Sequence, residues 1–327
     1  MIRDWLAVTP WLIRDTFRQA AASGLLWFMF GANVVVILVC LSAGVREREP
    51  VRSGVDTDLP SPERDRKGEH VEVEKVPGEL TLAFGSIRVP FDRDARTAVR
   101  YLQLLLAGGV ADTAGILLAL IFTAGFLPRF LDPRSSIVLL TKPSPRWVLL
   151  IGKFVGVLTF VAVQAVIFVV GTWFALGLST GYWESMYLAC IPLLLVHFAA
   201  FYSVSVLLAT STRSTLACIF GVICFWLLCW GMNYGRHFLV ITPEAERFSG
   251  LLRWTVEAGY WILPKPADMG LILFETLDAG PFFMQPLDLQ ALRAKNAYQP
   301  MISVLASLVF GAAMLGVACR DFNKADQ

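Results

Sequence analysis

Six stretches of this chain are apolar for long enough to cross a lipid bilayer: residues 20–43, 108–127, 147–176, 186–209, 215–232 and 301–319. A helix rises about 1.5 Å per residue and the hydrocarbon core is about 30 Å thick, so a run of about 20 apolar residues spans it. No water reaches the backbone at that depth, so each run must satisfy its own peptide groups, which makes it a helix. Composition agrees. Only 17% of the residues are charged, against about a quarter in a soluble domain. The expected fold class is an all-α polytopic membrane protein with six transmembrane helices.

The segments between the runs differ in kind. Residues 1–19 place Trp5, Leu6, Trp11, Leu12, Ile13 and Phe17 near helical spacing, with Arg3, Arg14 and Arg18 on the polar side. This pattern suits an amphipathic helix lying in the membrane interface, with Pro10 breaking or starting it. The first span comes next, at 20–43. Its apolar stretch, Leu25 to Ala43, exceeds the about 7–15 residues of a signal-peptide core. A retained span is therefore expected, although Leu41-Ser42-Ala43-Gly44 resembles a cleavage site.

Residues 44–107 are rich in charge and proline. Within them His70–Val76 alternates polar and apolar, the period of a strand, and Glu79–Phe91 supplies one or two more strands around Gly85. This predicts a small extracytoplasmic insertion with a β-hairpin, partly disordered near 58–69. Residues 233–300 hold two semi-apolar pieces, Leu251–Leu263 and Ala267–Leu277, too short for confident spans and better suited to re-entrant or interfacial helices. Asn233-Tyr234-Gly235-Arg236 reads as a helix stop and a turn. Residues 320–327 form a short tail.

Short loops carry the orientation signal. With six spans, Arg3, Arg14, Arg18, Arg129, Arg134, Lys142, Arg146, Arg213, Arg320 and Lys324 all fall on one side, and the short loop opposite, Ser179–Ser185, has no Lys or Arg. Both termini are then cytoplasmic. A net charge of +2 without a basic stripe argues against nucleic acid. All six cysteines sit in apolar runs or at their ends, so neither a structural disulfide nor a CxxC-type metal site is expected. His70, His197 and His237 have no metal-ligand spacing. No cofactor, metal or catalytic residue is expected.

The most informative stretch lies between the second and third spans, residues 128–146, and extends into the start of the third. Pro128, Pro133, Pro143 and Pro145 punctuate it, Asp132 to Leu140 suits a short surface helix, and Lys142-Pro143 ends that helix. Arg146 then opens the third span, with Gly152-Lys153 further along; Lys153 is expected to snorkel to the interface. Lys142-Pro143-Ser144-Pro145-Arg146 with Gly152-Lys153 after it resembles the permease subunits of ABC transporters of the ABC-2 type. Thr16-Phe17-Arg18, Trp261-Ile262-Leu263-Pro264 and Arg320-Asp321-Phe322 agree with the same family, whereas Asp132 and Ile137–Leu140 match it more loosely. Residues 46–100 are an insertion that its common members lack.

The resemblance implies that Pro128–Lys142 is a coupling helix docking on a separate ATP-binding subunit. It assigns Arg129, Asp132, Arg134, Lys142, Pro143, Arg146, Gly152 and Lys153 to that coupling, and it implies pairing with a second permease chain, identical or not. It places the protein, surrounded by lipid, in the inner or plasma membrane. The resemblance also implies that ATP hydrolysis belongs to the partner and that this chain is not itself an enzyme; consistent with that, the sequence has no GxxxxGK[ST] phosphate loop. Taken singly, each arginine is what the positive-inside rule puts in such a loop. The spacing of the whole stretch is what points to coupling.

Gln164 and His197 mark a possible intramembrane polar site, because an ionisable group at that depth is unusual; a neutral histidine packing two helices is the plainer account. Asp112 and Glu184 read as solvated groups near the outer surface. Two other readings compete with a transporter: a membrane scaffold or assembly factor on the permease fold that moves nothing, and an intramembrane enzyme using His197. The sequence does not name a substrate.

Overall fold

The computed structural model describes residues 2–47, 78–82, 85–91, 95–131, 145–242, 249–277, 287–295 and 297–324. Among the described residues five helical stretches are long and apolar enough to cross a membrane, and there are six if two further helices, bent by 77° against each other, make one span. The protein is an all-α polytopic membrane protein with a small β-containing insertion.

The bent pair comes first. Helix α1 (Ile2–Ala22) runs through Pro10 rather than breaking there. Ser23-Gly24 then turns the chain into α2 (Leu25–Leu41). Gly24 makes that turn at φ 74, a left-handed conformation that disfavours residues with a Cβ.

Three antiparallel strands come after α2, in the order β1 (Gly44–Glu47), β2 (Gly78–Leu82), β3 (Ile87–Phe91). Gly44 pairs with Thr81, and Gly78 with Phe91. The Thr81 hydroxyl donates to the Gly44 carbonyl at 2.9 Å, and a Cβ on Gly44 would lie 2.8 Å from that hydroxyl oxygen. Among the described residues the insertion is thus a three-stranded meander whose first strand directly follows α2. The strand expected at His70–Val76 lies outside the described residues.

The second span is longer than its apolar run. It begins at α3 (Ala95–Leu104), passes through a π-helical segment, Leu105–Gly115, and continues as α4 (Ile116–Thr123) and α5 (Phe126–Phe130). Ala95, Ala98, Val99 and Gln103 are the buried residues of α3, at helical spacing. The charges of Arg96 and Arg100 hid this first part of the helix from a reading based on apolar runs. The remaining helices among the described residues are α6 (Arg146–Thr180), a 3₁₀ turn at Ser185–Ala189 leading into α7 (Cys190–Thr212), α8 (Thr215–Ile241), α9 (Gly250–Ile262), α10 (Pro266–Thr276), α11 (Leu287–Ala294) and α12 (Pro300–Lys324).

Helix ends obey local chemistry. α6 stops at Gly181, which adopts φ 79. α7 and α8 are joined by Arg213-Ser214 alone, where the Ser214 hydroxyl accepts from the Ala217 amide and caps α8. Asn233-Tyr234-Gly235-Arg236 does not stop α8, which runs on to Ile241. Asn233 and His237, one turn apart, both bond a carboxylate on α10, and these contacts outweigh the weak helix preference of Asn and Gly.

The main apolar core is built from α4 to α8 and the inner faces of α1 and α12, with Phe126, Phe160, Phe198, Phe201 and Tyr202 at its centre. Trp147 and Ile151 at the start of α6 share a cavity wall with Arg320 and Lys324 at the end of α12. That end of the bundle also holds α1; the sheet, α9 and α10 lie toward the other.

Candidate functional site

The described residues of the predicted coupling region are the end of α5, with Arg129, and the first turns of α6, and α1 docks on the latter. Gly152 and Gly156 are one turn apart on one face of α6, and Leu12 and Thr16 are one turn apart on α1. A Cβ on Gly152 would lie 2.4 Å from Leu12 Cδ1, and one on Gly156 would lie 2.7 Å from Thr16 Oγ1 and 3.2 Å from the Leu12 carbonyl oxygen. The two glycines form a small-xxx-small groove that lets one helix lie close on the other. Phe17 then meets Phe160 edge to face at 5.5 Å.

Lys153 lies beside this groove. Its side chain has no exposed surface, so it does not snorkel to the interface as the sequence suggested. Its ammonium donates to Asp15 Oδ2 and to Gln19 Oε1, both at 2.9 Å, and sits 5.4 Å from the Phe130 ring centroid. Asp15 and Gln19 are again one helical turn apart, on the face of α1 that meets α6. A buried ammonium is tolerated only when paired and hydrogen-bonded, and α1 supplies both partners. Gly152, Lys153 and Gly156 together clamp α1 to α6.

Of the other predicted coupling residues, Arg129 is exposed on α5, and Arg146 is half-buried as the first residue of α6. Asp132, Arg134, Lys142 and Pro143 lie outside the described residues.

The structure does not join Gln164 to His197. Gln164 Oε1 accepts from Asn33 Nδ2 of α2 at 2.8 Å, on the wall of a largely apolar cavity of about 290 Å³. His197 Nδ1 lies 2.6 Å from Asp112 Oδ1 of the π segment, on the wall of a second cavity of about 260 Å³. Asp112 is therefore not a solvated outer residue; only 4% of it is exposed. The π-helical register, marked by the Thr113 hydroxyl donating five residues back to the Gly108 carbonyl, accompanies that placement. Such segments recur at functional positions.

Glu184 is also buried. It accepts from Arg96 and, at 3.4 Å, from Arg100, both on α3. Burial alone raises its carboxyl pKa, but the hydrogen bonds and charges of the two arginines outweigh that and hold it below the usual range.

The densest polar centre was not singled out from the sequence. Asp268 of α10 is fully buried. One of its oxygens accepts from Asn233 at 2.9 Å and faces His237 Nε2 at 2.8 Å; the other accepts from Tyr260 at 2.8 Å and Ser303 at 2.5 Å. The Asp268 amide in turn donates to Asn233 Oδ1 at 3.1 Å. Four helices, α8, α9, α10 and α12, meet on this one carboxylate. Burial pushes its pKa up, and the bonds from His237, Ser303 and Asn233 reverse that and hold it below the ordinary value. Nearby Lys265 is buried over the Tyr260 ring, 4.7 Å from its centroid, and its loss of solvent lowers its pKa. The only sequence signal for this centre was polarity at helical spacing, in Asn233 and His237. Their partners lie on three other helices.

Among the described residues no cluster of three or more His, Cys, Asp or Glu is arranged to hold a metal ion. No curated protein and no solved structure matches the chain. A family model described as ABC-2 family transporter protein matches residues 93–327. The match starts just ahead of α3 and runs to the last residue, taking in α6 with its glycine groove and the Asp268 centre, and leaving out α1, α2 and the sheet. With its membrane-spanning helices and a family match over most of its length, this chain belongs to the ABC-2 family of transporter proteins.

Proposed function

We propose that the chain is the membrane-spanning permease subunit of an ATP-driven exporter, coupling a separate ATPase to the movement of a substrate across the membrane. Family membership supports a permease. The observation that carries the coupling is the clamp between α1 and α6, because it begins within two turns of Arg146, where the 128–146 segment ends. A push delivered to that segment acts on the first turns of α6. There Gly152, Gly156 and the Lys153–Asp15 pair pass it to α1, and the two-residue bend passes it on to α2.

In this reading Arg129, Asp132, Arg134, Lys142, Pro143 and Arg146 meet the ATPase, while Gly152 and Lys153 act one step behind, as positioning residues. The end of the bundle with Arg129, Arg146, Arg320 and Lys324 faces the cytoplasm, by the positive-inside rule, and so do both termini. Two permease chains, identical or related, enclose the pathway. The sheet then faces outward, where it is available to substrate or to an outer partner.

The test is purification in mild detergent with mass spectrometry of the proteins that accompany the chain, beside a variant with Asp132, Lys142 and Arg146 changed to alanine. The expected outcome is a co-purifying subunit with a phosphate loop that the variant loses. An unaccompanied protein, under conditions that keep other membrane complexes intact, overturns the coupling. Substrate flux in the reconstituted complex separates an exporter from a scaffold that binds an ATPase and moves nothing.

A further inference from the structure

The cavity of about 260 Å³ between the π segment, α7, α8 and α10 has features of a built site. His197 and Asp112 stand at its wall as a hydrogen-bonded pair, and so does His237, whose partner Asp268 lies behind it and not on the wall. Trp226, Trp230 and Tyr234 line it from α8 at successive i, i+4 positions, and the rings of the last two are 4.3 Å apart.

Two of the lining residues carry buried polar atoms with no hydrogen-bond partner. These are His197 Nε2 and Trp226 Nε1, on side chains that are 2% and 9% exposed. Such atoms are rare in folded proteins and call for an explanation. Here both belong to residues lining the same space.

The chemistry of the two atoms narrows what fills it. Trp226 Nε1 only donates. When the His197 ring is neutral and donates its Nδ1 proton to Asp112, Nε2 presents a lone pair, as in the carboxylate–histidine arrangements that ready an imidazole to accept. The Asp112–His197 pair then carries a negative charge whose one hydrogen-bond partner among the described residues is the imidazole itself. The Asp268 carboxylate, by contrast, has four donors and Lys265 close by. The ligand that fits is positively charged, donates an N–H to His197, offers an oxygen to Trp226, and lies against aromatic faces that favour cations. Its size is bounded, because 260 Å³ is at the small end of ligand sites.

We infer that this cavity binds a primary ammonium group with an oxygen acceptor a few bonds away, the chemistry of an amino alcohol. The ammonium neutralises Asp112 through His197, and the oxygen satisfies Trp226. The same head exists free in solution and on ethanolamine phospholipids. The inference does not depend on the permease reading, since binding is measured without an ATPase or flux.

The experiment is equilibrium binding of radiolabelled ethanolamine at neutral pH to the full chain in nanodiscs made without primary-amine lipids. Saturable binding near one per chain is expected, with ethylene glycol failing to compete. Asp112→Asn, which keeps the side chain's shape and removes its charge, weakens binding by at least about tenfold. Trp226→Phe, which keeps an aromatic ring and loses the N–H, weakens it by roughly three- to tenfold. Unchanged thermal unfolding and gel-filtration profiles verify that both variants are folded, and His237→Gln on the opposite wall serves as a second variant if Asp112→Asn is not. Adding phosphatidylethanolamine to the disc separates the sources: if it blocks the site, the lipid head is the ligand, and if it does not, the free amine is. Absence of binding in discs of either lipid composition together with no retained ethanolamine lipid overturns the inference. So does equal competition by ethylene glycol, or wild-type affinity in folded Asp112→Asn and Trp226→Phe.

Discussion

A lysine whose side chain has no exposed surface stands or falls with its partners. Lys153 has two, Asp15 and Gln19, and they are unequal to it in one respect: 40% of the Asp15 side chain remains exposed. Removing either member of the pair therefore has different consequences. Lys153→Met leaves a carboxylate that water can solvate and fills the space with an apolar chain of similar length. Asp15→Ala leaves an ammonium buried without a counter-charge, a kind of change that costs about 3–5 kcal/mol in deeply buried pairs and less where water can approach. Asp15→Ala is expected to lower the thermal unfolding midpoint clearly more than Lys153→Met. Equal losses would mean that Lys153 reaches water or another partner. Gly152-Lys153 was legible in the sequence as a unit next to Arg146, but its purpose was not. The partner carboxylate is 138 positions away, and pairing at that separation leaves no local pattern. The setting of Asp112 was hidden for a related reason: position near the end of an apolar run suggests water, whereas the π segment sets it against His197.

At the level of helices, the groove on α6 was available to a reader of the sequence in the spacing Gly152-x-x-x-Gly156, and only its first glycine was picked up. The two glycines are not equivalent. What a Cβ at Gly152 meets is the end of a leucine side chain, which can swing aside; what it meets at Gly156 includes the α1 backbone. Gly152→Ala should be tolerated, while Gly156→Ala should cost about 1–3 kcal/mol, as overpacking of a close contact does. The check is the protease sensitivity of the α1–α2 bend together with the unfolding midpoint. A Gly152→Ala variant as damaged as Gly156→Ala would show that the Leu12 side chain cannot swing aside. The apolar runs located the spans, but the helix limits escaped. α3 and the last turns of α8 are polar enough to look like loops, and they are held helical by contacts with the sheet, α9 and α10.

For the molecule as a whole, Glu184 ties the start of the second span to the turn before α7, so its titration reports on the sheet end of the bundle. Its pKa in the folded protein is below the ordinary value. The stabilisation it gives is therefore complete above the unfolded value of about 4.3 and is lost as the pH falls through the lower, folded value. The unfolding midpoint of the wild type should fall on acidification below about pH 4.3 relative to that of Glu184→Gln, which has no such proton to take up. Parallel curves for the two proteins would remove Arg96 and Arg100 as its partners. The all-helical, multi-span character of the chain was legible because a bilayer admits few solutions. The polar centres between them were not, since each draws its members from helices far apart in the chain.

The bend at Ser23-Gly24 has one more consequence. α1 is about 30 Å long at a helical rise of about 1.5 Å per residue, lies clamped on α6, and is joined to α2 by two residues, one of them in a backbone conformation that most residues resist. α2 itself returns to α6 further along, through Asn33 and Gln164. Three struts fastened at three corners make a triangle, and a triangle cannot change shape without changing the length of a side. The first span therefore cannot shift alone: the triangle tips as one piece, or a corner has to come undone.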